Sequence, residues 1–323
     1  MTPDHSSVCP PAPFRCAAVL GPGLLGGSIA LAVARHLPGC ELRLWARREQ
    51  PLELARRLGI TEHTYRDPLE AARGADLIVL ATPIGVFEDL SRHMLPAIAP
   101  EAVVTDVGSV KAYVHRTTGQ FLTERGRCFI GSHPMAGAET QGLENARAEL
   151  LEGATVVITN EHAAPDERLK RLEAFWQALG CSTYEMEAVT HDRTVARISH
   201  TPHILAGLCA RHAYLSDVPL KDMQRLASSG FRDTTRVCSG PPAMWADILW
   251  ENDVAIRQSL SDTMADLRTL MDLLENQDRE GVREWLEKAK LAREVIRSSP
   301  AAESPESSVA PVASETSDAR GEA

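Results

Sequence analysis

The sequence lacks the features that mark several classes of protein. Its seven cysteines form no Cys-x-x-Cys pair and are odd in number, which argues against a disulfide framework or a zinc site and favours a reducing compartment. The N-terminus has no apolar core of a secretory signal, and no apolar run reaches about 18 residues. We therefore expect a cytoplasmic protein that neither crosses nor binds a membrane.

Charge and length narrow the choice further. The formal net charge is −10 over 323 residues, and no basic stretch suggests a surface for nucleic acid. An apolar fraction of 44% and a charged fraction of 24% are ordinary for a globular protein. The chain is long for one domain, so two domains are expected.

The first half of the chain alternates short apolar runs with longer amphipathic ones. Strands are predicted at 16–21, 41–46, 75–83, 102–109, 128–134, 154–159 and 181–186, and helices at 24–37 and 50–59. Strands that alternate with helices form parallel βαβ units, so the pattern predicts an α/β sheet that is covered on both faces.

The second half reads as helix. The strand signal stops after about Thr190, and a kink is expected at Pro202. From Pro242 to Asn276 apolar residues recur at spacings of three, four and seven, which predicts one helical stripe roughly 45 Å long. Burial of the stripe inside an intramolecular bundle is the alternative, but a stripe of this length favours a homodimer interface.

These patterns divide the chain into four parts. Residues 1–13 and the tail 298–323 are rich in proline, serine or charge and are predicted to be disordered. Residues 14–187 form the expected Rossmann-type dinucleotide-binding domain, and residues 188–297 form an all-helical dimerisation and substrate domain.

A glycine-rich turn supports the dinucleotide assignment. Gly21-x-Gly23-x-x-Gly26 follows a strand and opens a helix. The three glycines permit, in that order, a tight turn, close approach of the backbone to a pyrophosphate, and close packing of helix on strand. We assign Gly21, Gly23, Leu24, Leu25 and Gly26 to cofactor binding; a turn that serves packing alone is the alternative.

The end of the second strand bears on which nicotinamide cofactor binds. NAD sites usually carry an acid there for the ribose 2′-hydroxyl, whereas arginine accommodates a 2′-phosphate. This sequence has Arg47 and Arg48, with no acid before Glu49. The two guanidinium groups favour NADP, with NAD as the alternative if both side chains are merely exposed. Thr82 and Pro83, after a later strand, are also assigned to the cofactor.

Two polar residues follow predicted strands at the carboxyl edge of the sheet, where ligands of such folds bind. Ser109 follows the apolar run AVVTDV of the strand predicted at 102–109, and His133 lies near the end of the strand predicted at 128–134. A histidine in that position suits removal of a proton from a hydroxyl as hydride leaves the same carbon. A buried histidine satisfied by the backbone is the alternative for one isolated residue.

Five motifs together extend this interpretation to a family. The sequences TDVGSVK, GSHPMAGAETQG, ISHTPH, ASSGFRDTTRV and MW occur in that order behind the glycine turn. In combination they resemble the prephenate/arogenate dehydrogenases of tyrosine biosynthesis, from about Ala17 to past Trp245. The resemblance implies oxidative decarboxylation of prephenate to 4-hydroxyphenylpyruvate, or of arogenate to tyrosine, without a metal.

The resemblance also implies roles for individual residues. His133 would accept the proton of the substrate's ring hydroxyl, and Ser109 would orient that histidine and the nicotinamide. Glu139 would shape the substrate side of the site, and His191 would lie near its entrance. The remaining assignments, all to substrate binding, are His203 and Arg236 as contacts and His200 and Asp233 as supporting or structural members.

Two other functions remain open. A β-hydroxyacid dehydrogenase has a similar layout but usually relies on a catalytic lysine in the helical domain, where the central segment offers only Lys221 outside any matching motif. A non-catalytic NADP-sensing dimer would bind cofactor without turnover. The combination of Ser109, His133 and Arg236 argues against such a module.

Overall fold

The computed structural model of the protein describes residues 12–138 and 140–298. The predicted disorder of residues 1–11 and of the tail from 299, and the predicted role of Glu139, lie outside these residues. The described chain falls into two compact units, one running to Ser261 and the other from Asp262 onward. The proposed domain boundary at residues 187 and 188 stays a prediction.

The strands of the described residues form two sheets. The strands are β1 (Cys16–Leu20), β2 (Glu41–Trp45), β3 (Thr64–Tyr65), β4 (Leu77–Leu80), β5 (Val103–Asp106), β6 (Cys128–Phe129), β7 (Gly131–Pro134), β8 (Thr155–Thr159) and β9 (Ser182–Glu185). The first sheet is entirely parallel and has the order β3-β2-β1-β4-β5-β6. This is the Rossmann order, and it confirms the predicted fold class.

The helices cover the first sheet and then form the C-terminal part of the described chain. They are α1 (Leu24–His36), α2 (Glu49–Arg57), α3 (Pro68–Ala72), α4 (Phe87–Met94), α5 (Ala112–Val114), α6 (Gln120–Thr123), α7 (Asp166–Ala178), α8 (Ala188–Val195), α9 (Thr201–Tyr214), α10 (Leu220–Leu226), α11 (Ser229–Thr235), α12 (Pro242–Glu251), α13 (Asp253–Glu275) and α14 (Arg279–Arg297). Within the residues that the structure describes, no helix is both long and apolar enough to cross a membrane.

The apolar faces of the first sheet explain why these residues fold together. Strands β1 and β4 are buried at every position, as expected for parallel strands covered on both sides. Alternate β1 residues point to opposite faces: Ala17 and Val19 pack into one buried cluster, and Ala18 and Leu20 into the other. The sheet is therefore the centre of two apolar layers.

The predicted strand at 128–134 is wrong in one respect, because the structure divides it into β6 and β7. Ile130 still donates its N–H to Val104 in the first sheet, but β7 pairs antiparallel with β8 in the second sheet. A Cβ at Gly131 would lie 2.3 Å from Thr159 Oγ1 and 2.9 Å from His115 Nε2. Only glycine allows the chain to change sheets at this crowded point.

The expectation of purely parallel pairing is corrected by the same step. The second sheet has the order β7-β8-β9, with β7 and β8 antiparallel and β8 and β9 parallel. The sheet change turns the end of β7, and with it His133, toward the helical segment that follows β9.

Two expectations for the helical half also need correction. The predicted uninterrupted stripe is broken at Asn252, whose φ of −111° and ψ of 27° end α12 before α13 begins. The irregularity expected at Pro202 lies just before that residue, in a π-helical turn over Ala196–His200. Pro202 is the second residue of α9 and directly follows this turn, as expected where a proline disturbs the regular helical hydrogen bonds.

Candidate active site

The glycine turn between β1 and α1 has the geometry of a pyrophosphate site. Gly21 has a φ of +104° and donates its N–H to Trp45 O over 2.9 Å. A Cβ at Gly26 would lie 2.2 Å from Gly21 O, so helix and turn pack in direct contact. A Cβ at Gly23, in contrast, would meet nothing within 4 Å.

The open space at Gly23 lies at the start of α1, where no side chain caps the helix. Leu24 and Leu25 form its first turn and are half-buried. Free N–H groups and the positive end of the helix dipole suit an anion at this place. These residues fit a dinucleotide, and the assignment of each to the cofactor stays a prediction.

The remaining residues assigned to the cofactor lie at the same edge of the sheet. Arg47 and Arg48 are exposed in the connection from β2 to α2, and Arg48 is the N-cap residue of α2. Thr82 is half-buried and Pro83 is exposed after β4. The carboxyl ends of β1, β2 and β4 meet here because these three strands are parallel neighbours.

A buried ion pair joins the end of β5 to β7. Asp106 and Lys111 are both inaccessible to solvent and pair directly through Oδ2 and Nζ. Asp106 also accepts the N–H groups of Gly108, at 2.8 Å, and Ser132, at 3.1 Å. Lys111 Nζ donates to Ser132 O over 2.7 Å. These additional hydrogen bonds satisfy the buried charges and hold both strand ends in place.

Ser132 is further held through its side chain. Its hydroxyl lies 2.8 Å from Thr105 Oγ1 and accepts a hydrogen bond of 3.1 Å from Trp176 Nε1. Because every polar group of Ser132 is engaged, the position of the next residue, His133, is strongly constrained. Ser109 is half-buried and lies in the connection after β5, between Asp106 and Lys111.

His133 begins a chain of hydrogen bonds that the sequence did not predict. His133 Nδ1 lies 2.8 Å from His191 Nε2, and His191 Nδ1 lies 2.7 Å from Asp192 Oδ1. Asp192 in turn accepts the backbone N–H groups of Lys111, at 2.7 Å, and Ala112, at 2.9 Å. Two helices, α8 and α5, are thus joined through one carboxylate.

The tautomers of both rings follow from this chain. Asp192 is an acceptor, so His191 donates from Nδ1, and in the neutral His191 ring the lone pair is on Nε2. His133 must then donate from Nδ1, which leaves the lone pair of His133 on Nε2. Among the described residues, the partner that orients the His133 ring is therefore His191; the role predicted for Ser109 in orienting it stays a prediction.

The surroundings of His133 keep it neutral. Burial first, and then the neighbouring His191, Lys111 and His200, hold the pKa of His133 well below 6.5. A neutral ring with a fixed lone pair can accept a proton at physiological pH. The resulting imidazolium would be stabilised through His191 by Asp192, as in the triad of serine proteases.

The chain of contacts continues into the helical segment. Asn252 Nδ2 donates to Asp192 O over 2.9 Å and lies 3.2 Å from His200 Nδ1. His200 is buried, and burial lowers its pKa to about 4. The His200 ring packs edge to face against Trp245. Trp245 also stacks on His203, with 3.4 Å between the two ring centroids.

The predicted substrate residues lie at the far end of this chain. His203 is half-buried and hydrogen-bonds the backbone of Val237, the residue after Arg236. Arg236 begins the short helix Arg236–Ser239 and is exposed, as is Asp233 in α11. The structure therefore connects His133, His191, His200 and His203 to the segment of Arg236, while Asp233 remains at the surface.

Asp106, Lys111, Asp192 and Asn252 were missed by the sequence reasoning. Asp106 and Lys111 both belong to the motif TDVGSVK, so that motif contained a signal for two of them. Asp192 and Asn252 stand in helical segments without a distinctive pattern. Their part in the site depends on contacts between residues 60 or more positions apart.

The chain therefore combines a positive-φ glycine turn and an open helix start in the first sheet with a histidine of lowered pKa in the second. This combination is typical of a dinucleotide-dependent dehydrogenase. Residues 29–185 match the family model described as "Prephenate dehydrogenase, nucleotide-binding domain", and residues 187–288 match "Prephenate dehydrogenase, dimerization domain". The chain belongs to the prephenate dehydrogenase family, and it is an oxidoreductase that uses a nicotinamide dinucleotide.

Individual relatives agree with this membership. The cyclohexadienyl dehydrogenase of Zymomonas mobilis is 30% identical over 88% of this chain and 97% of its own length. A crystal structure of prephenate dehydrogenase from A. aeolicus in complex with hydroxyphenyl propionate and NAD+ has a TM-score of 0.81 at 26% identity, covering 87% of this chain and 98% of that one. Synechocystis arogenate dehydrogenase has a TM-score of 0.73 at 31% identity, covering 87% and 99%.

Proposed function

We propose that the protein oxidises prephenate and removes its ring carboxylate, with 4-hydroxyphenylpyruvate, carbon dioxide and reduced cofactor as products. The observation that carries this proposal is the chain from Asp192 through His191, which leaves a lone pair on His133 Nε2. A neutral, oriented base is what removal of a proton from the C4 hydroxyl requires. The Zymomonas mobilis relative and the A. aeolicus structure support the same assignment by their names.

The reaction is balanced by the groups of the site. His133 Nε2 would take the C4 hydroxyl proton, and the oxidised nicotinamide held at the glycine turn would supply the acceptor for the C4 hydride. The ring carboxylate then leaves as carbon dioxide, and the electrons of the broken C–C bond complete the aromatic ring as its oxygen is protonated. Aromatisation makes the step favourable, so the protein mainly orients the substrate and matches its charges.

Arg236 and His203 are proposed to hold the carboxylates of the substrate. A guanidinium can donate two parallel hydrogen bonds to a carboxylate and stays charged at any physiological pH. His203 is positioned by its stack on Trp245 and by the Val237 backbone. His200 and Asp233 are proposed as supporting residues, Glu139 as the acid that shapes the substrate side of the site, and Ser109 as the residue that orients His133 and the nicotinamide.

Arogenate is the second candidate substrate, because it differs from prephenate only in an alanyl side chain where prephenate has a pyruvyl one. The similarity to Synechocystis arogenate dehydrogenase favours its inclusion. A cofactor-sensing module without turnover is the disfavoured alternative. Binding of a cofactor alone does not require the hydrogen bonds from His133 through His191 to Asp192.

NADP is the proposed cofactor, with NAD as the alternative. Arg47 and Arg48 provide two exposed guanidinium groups at the end of β2, where a 2′-phosphate would need them. Changing both to alanine should raise the KM for NADP and leave that for NAD nearly unchanged. Equal increases for both cofactors would show that these arginines do not bind the 2′ position.

A homodimer through the helical segment is also proposed. Apolar side chains stay exposed there, among them Tyr214 at 73%, Leu226 at 78% and Trp250 at 79%. Exposed apolar surface of this kind marks an interface between proteins, and the family model for residues 187–288 describes a dimerization domain. Sedimentation equilibrium should give twice the chain mass of 35.2 kDa, and a concentration-independent monomer would contradict the proposal.

The deciding assay follows absorbance at 340 nm with prephenate and with arogenate, each with NADP and with NAD. Turnover with prephenate and NADP is expected to exceed the other three combinations. Faster turnover with arogenate would replace the proposed substrate. If NADPH binds but no combination gives turnover, the cofactor-sensing module becomes the favoured function.

A further inference from the structure

Arg66 belongs neither to the glycine turn nor to the end of β2, but it lies beside the residues proposed to bind the 2′-phosphate of NADP. Arg66 follows β3, the parallel neighbour of β2, so both strand ends lie at the same edge of the sheet. Arg66 Nη2 donates to Arg47 O over 2.7 Å, and Trp45 Nε1 donates to Arg66 O over 3.1 Å. The backbone and side chain of Arg66 are thus both fastened to the segment that carries Arg47.

The same arginine contacts the first acid after β2. Arg66 Nη1 lies 3.4 Å from Glu49 Oε2, and Arg56 Nη2 donates to Glu49 Oε1 over 2.7 Å. Each carboxylate oxygen therefore faces a guanidinium. The hydrogen bond from Arg56, followed by that from Arg66, lowers the pKa of Glu49, so the carboxylate stays charged and directed at these two arginines.

This arrangement matters because a carboxylate in that region has opposite effects on the two cofactors. It accepts hydrogen bonds from the ribose hydroxyls of NAD, but it repels the 2′-phosphate of NADP. Arg66 changes both effects. It occupies one oxygen of Glu49, which is then less available to the ribose of NAD, and it adds a positive charge beside Arg47 and Arg48 that attracts the 2′-phosphate of NADP. Its side chain is 55% exposed, so a ligand can reach it.

We propose that Arg66 selects the cofactor, by contributing a third cation toward a 2′-phosphate and by holding Glu49 away from the ribose diol of NAD. The inference rests on the proposed preference for NADP. It predicts an asymmetric result: loss of Arg66 weakens one cofactor and strengthens the other, because Glu49 becomes available as an acceptor.

The test measures dissociation constants of NADPH and NADH by nicotinamide fluorescence with the full-length protein. Arg66→Ala should weaken NADPH on the order of 10-fold, the size expected for one charge-assisted hydrogen bond, and tighten NADH several-fold. In the double variant Arg66→Ala, Glu49→Gln, the gain for NADH should disappear. Arg57→Ala, an exposed arginine on the same helix as Glu49 and Arg56, is the matched control and should change neither constant.

Failure of the role proposed for Arg66 can be distinguished from failure of the proposed cofactor preference. If the unaltered protein binds NADH more tightly than NADPH, the proposed cofactor is wrong, whereas the role of Arg66 is read from the change that each variant causes. Equal weakening of both cofactors by Arg66→Ala, or no change in either, would overturn the inference. Arg66→Lys, which keeps the charge, should retain most of the NADPH affinity, and unaltered thermal melting of each variant excludes loss of the fold.

Discussion

The proton-accepting and charge-binding parts of the candidate site differ sharply in their exposure. His191 and Asp192, which orient His133, are at most 5% exposed, and Asp106 and Lys111 beneath them are inaccessible. Arg236, in contrast, is an exposed residue at the start of a short helix. One part is a buried network with fixed partners, and the other presents charge at the surface.

The difference follows from the chemistry of the side chains. A histidine is a useful base only when it is neutral and its lone pair points the right way, and burial with fixed partners ensures both. A guanidinium keeps its charge in any environment, so an arginine needs no burial to be ready for a carboxylate or a phosphate. Exposure is therefore compatible with the role proposed for Arg236, whereas His133, which is half-buried, depends on its contact with the buried His191.

Replacement of the base itself is the most severe way to test the buried part. His133→Asn should lower kcat by roughly 10²- to 10⁴-fold, the usual contribution of a general base, and leave the dissociation constant of NADPH within about twofold. Stopped-flow turnover and fluorescence titration measure the two quantities. Near-normal turnover would show that His133 is an ordinary buried histidine.

The next effect concerns orientation rather than proton acceptance. His191→Leu removes the acceptor for His133 Nδ1–H and should lower kcat on the order of 10- to 100-fold with little change in KM. His191→Gln places an amide oxygen near the same acceptor position and should restore part of the activity. If leucine and glutamine behave alike in kcat and in its pH profile, the ring of His133 does not depend on this hydrogen bond.

Arg236 tests the exposed part. Arg236→Gln should raise the KM for substrate on the order of 10-fold or more, because one charge-assisted contact is lost, while the KM for cofactor stays nearly constant. Initial-rate kinetics with each reactant varied in turn separate the two. An unchanged substrate KM would remove Arg236 from the site and weaken the contrast between the two parts.

The last effect concerns stability and not turnover, and it is the pH dependence that histidines with lowered pKa values impose. Burial lowers the pKa of His115 to about 3 and that of His200 to about 4, and His133 is lowered as well. Below pH 6.5 the unfolded chain binds protons at these rings and the folded chain does not, so stability falls as pH falls. The loss should be about 1.4 kcal/mol per pH unit for each ring, until the folded pKa is reached.

Urea unfolding at pH 7.0, 6.0 and 5.0 measures this slope. The variant His115→Asn should give a shallower slope, because it removes one of the rings with a lowered pKa. A stability that does not vary between pH 7 and 5 would mean that the rings protonate equally in both states. In the pH profile of kcat, the fall in activity toward acid should likewise lie below pH 6.5, because the pKa of His133 is lowered.

Much of the fold was predictable because local signals and tertiary packing agree. The strand at 16–21, the glycine turn and the helix at 24–37 were expected and appear as β1 and α1. The strand at 128–134 was not correctly predicted. Nothing in its sequence, CFIGSHP, marks a change of sheet, and only the crowding at Gly131 by Thr159 and His115 shows why the chain changes sheets there.

The candidate site shows the same division. His133, Ser109, His203 and Arg236 stand in motifs that a linear search can find. The partners of His133 cannot be found in that way, because Asp192 joins Lys111 and Ala112 across 80 or more residues. The break at Asn252 similarly has a reason only in three dimensions, where its side chain bonds Asp192 and His200.

The sequence by itself determined the parallel sheet and the dinucleotide turn, and it singled out His133 as the candidate base, since each depends on residue types at short and regular spacing. Only the tertiary structure showed which nitrogen of His133 faces His191 and that the surroundings lower the pKa of the ring. Those properties arise from burial and from hydrogen bonds between distant segments, which no local pattern encodes.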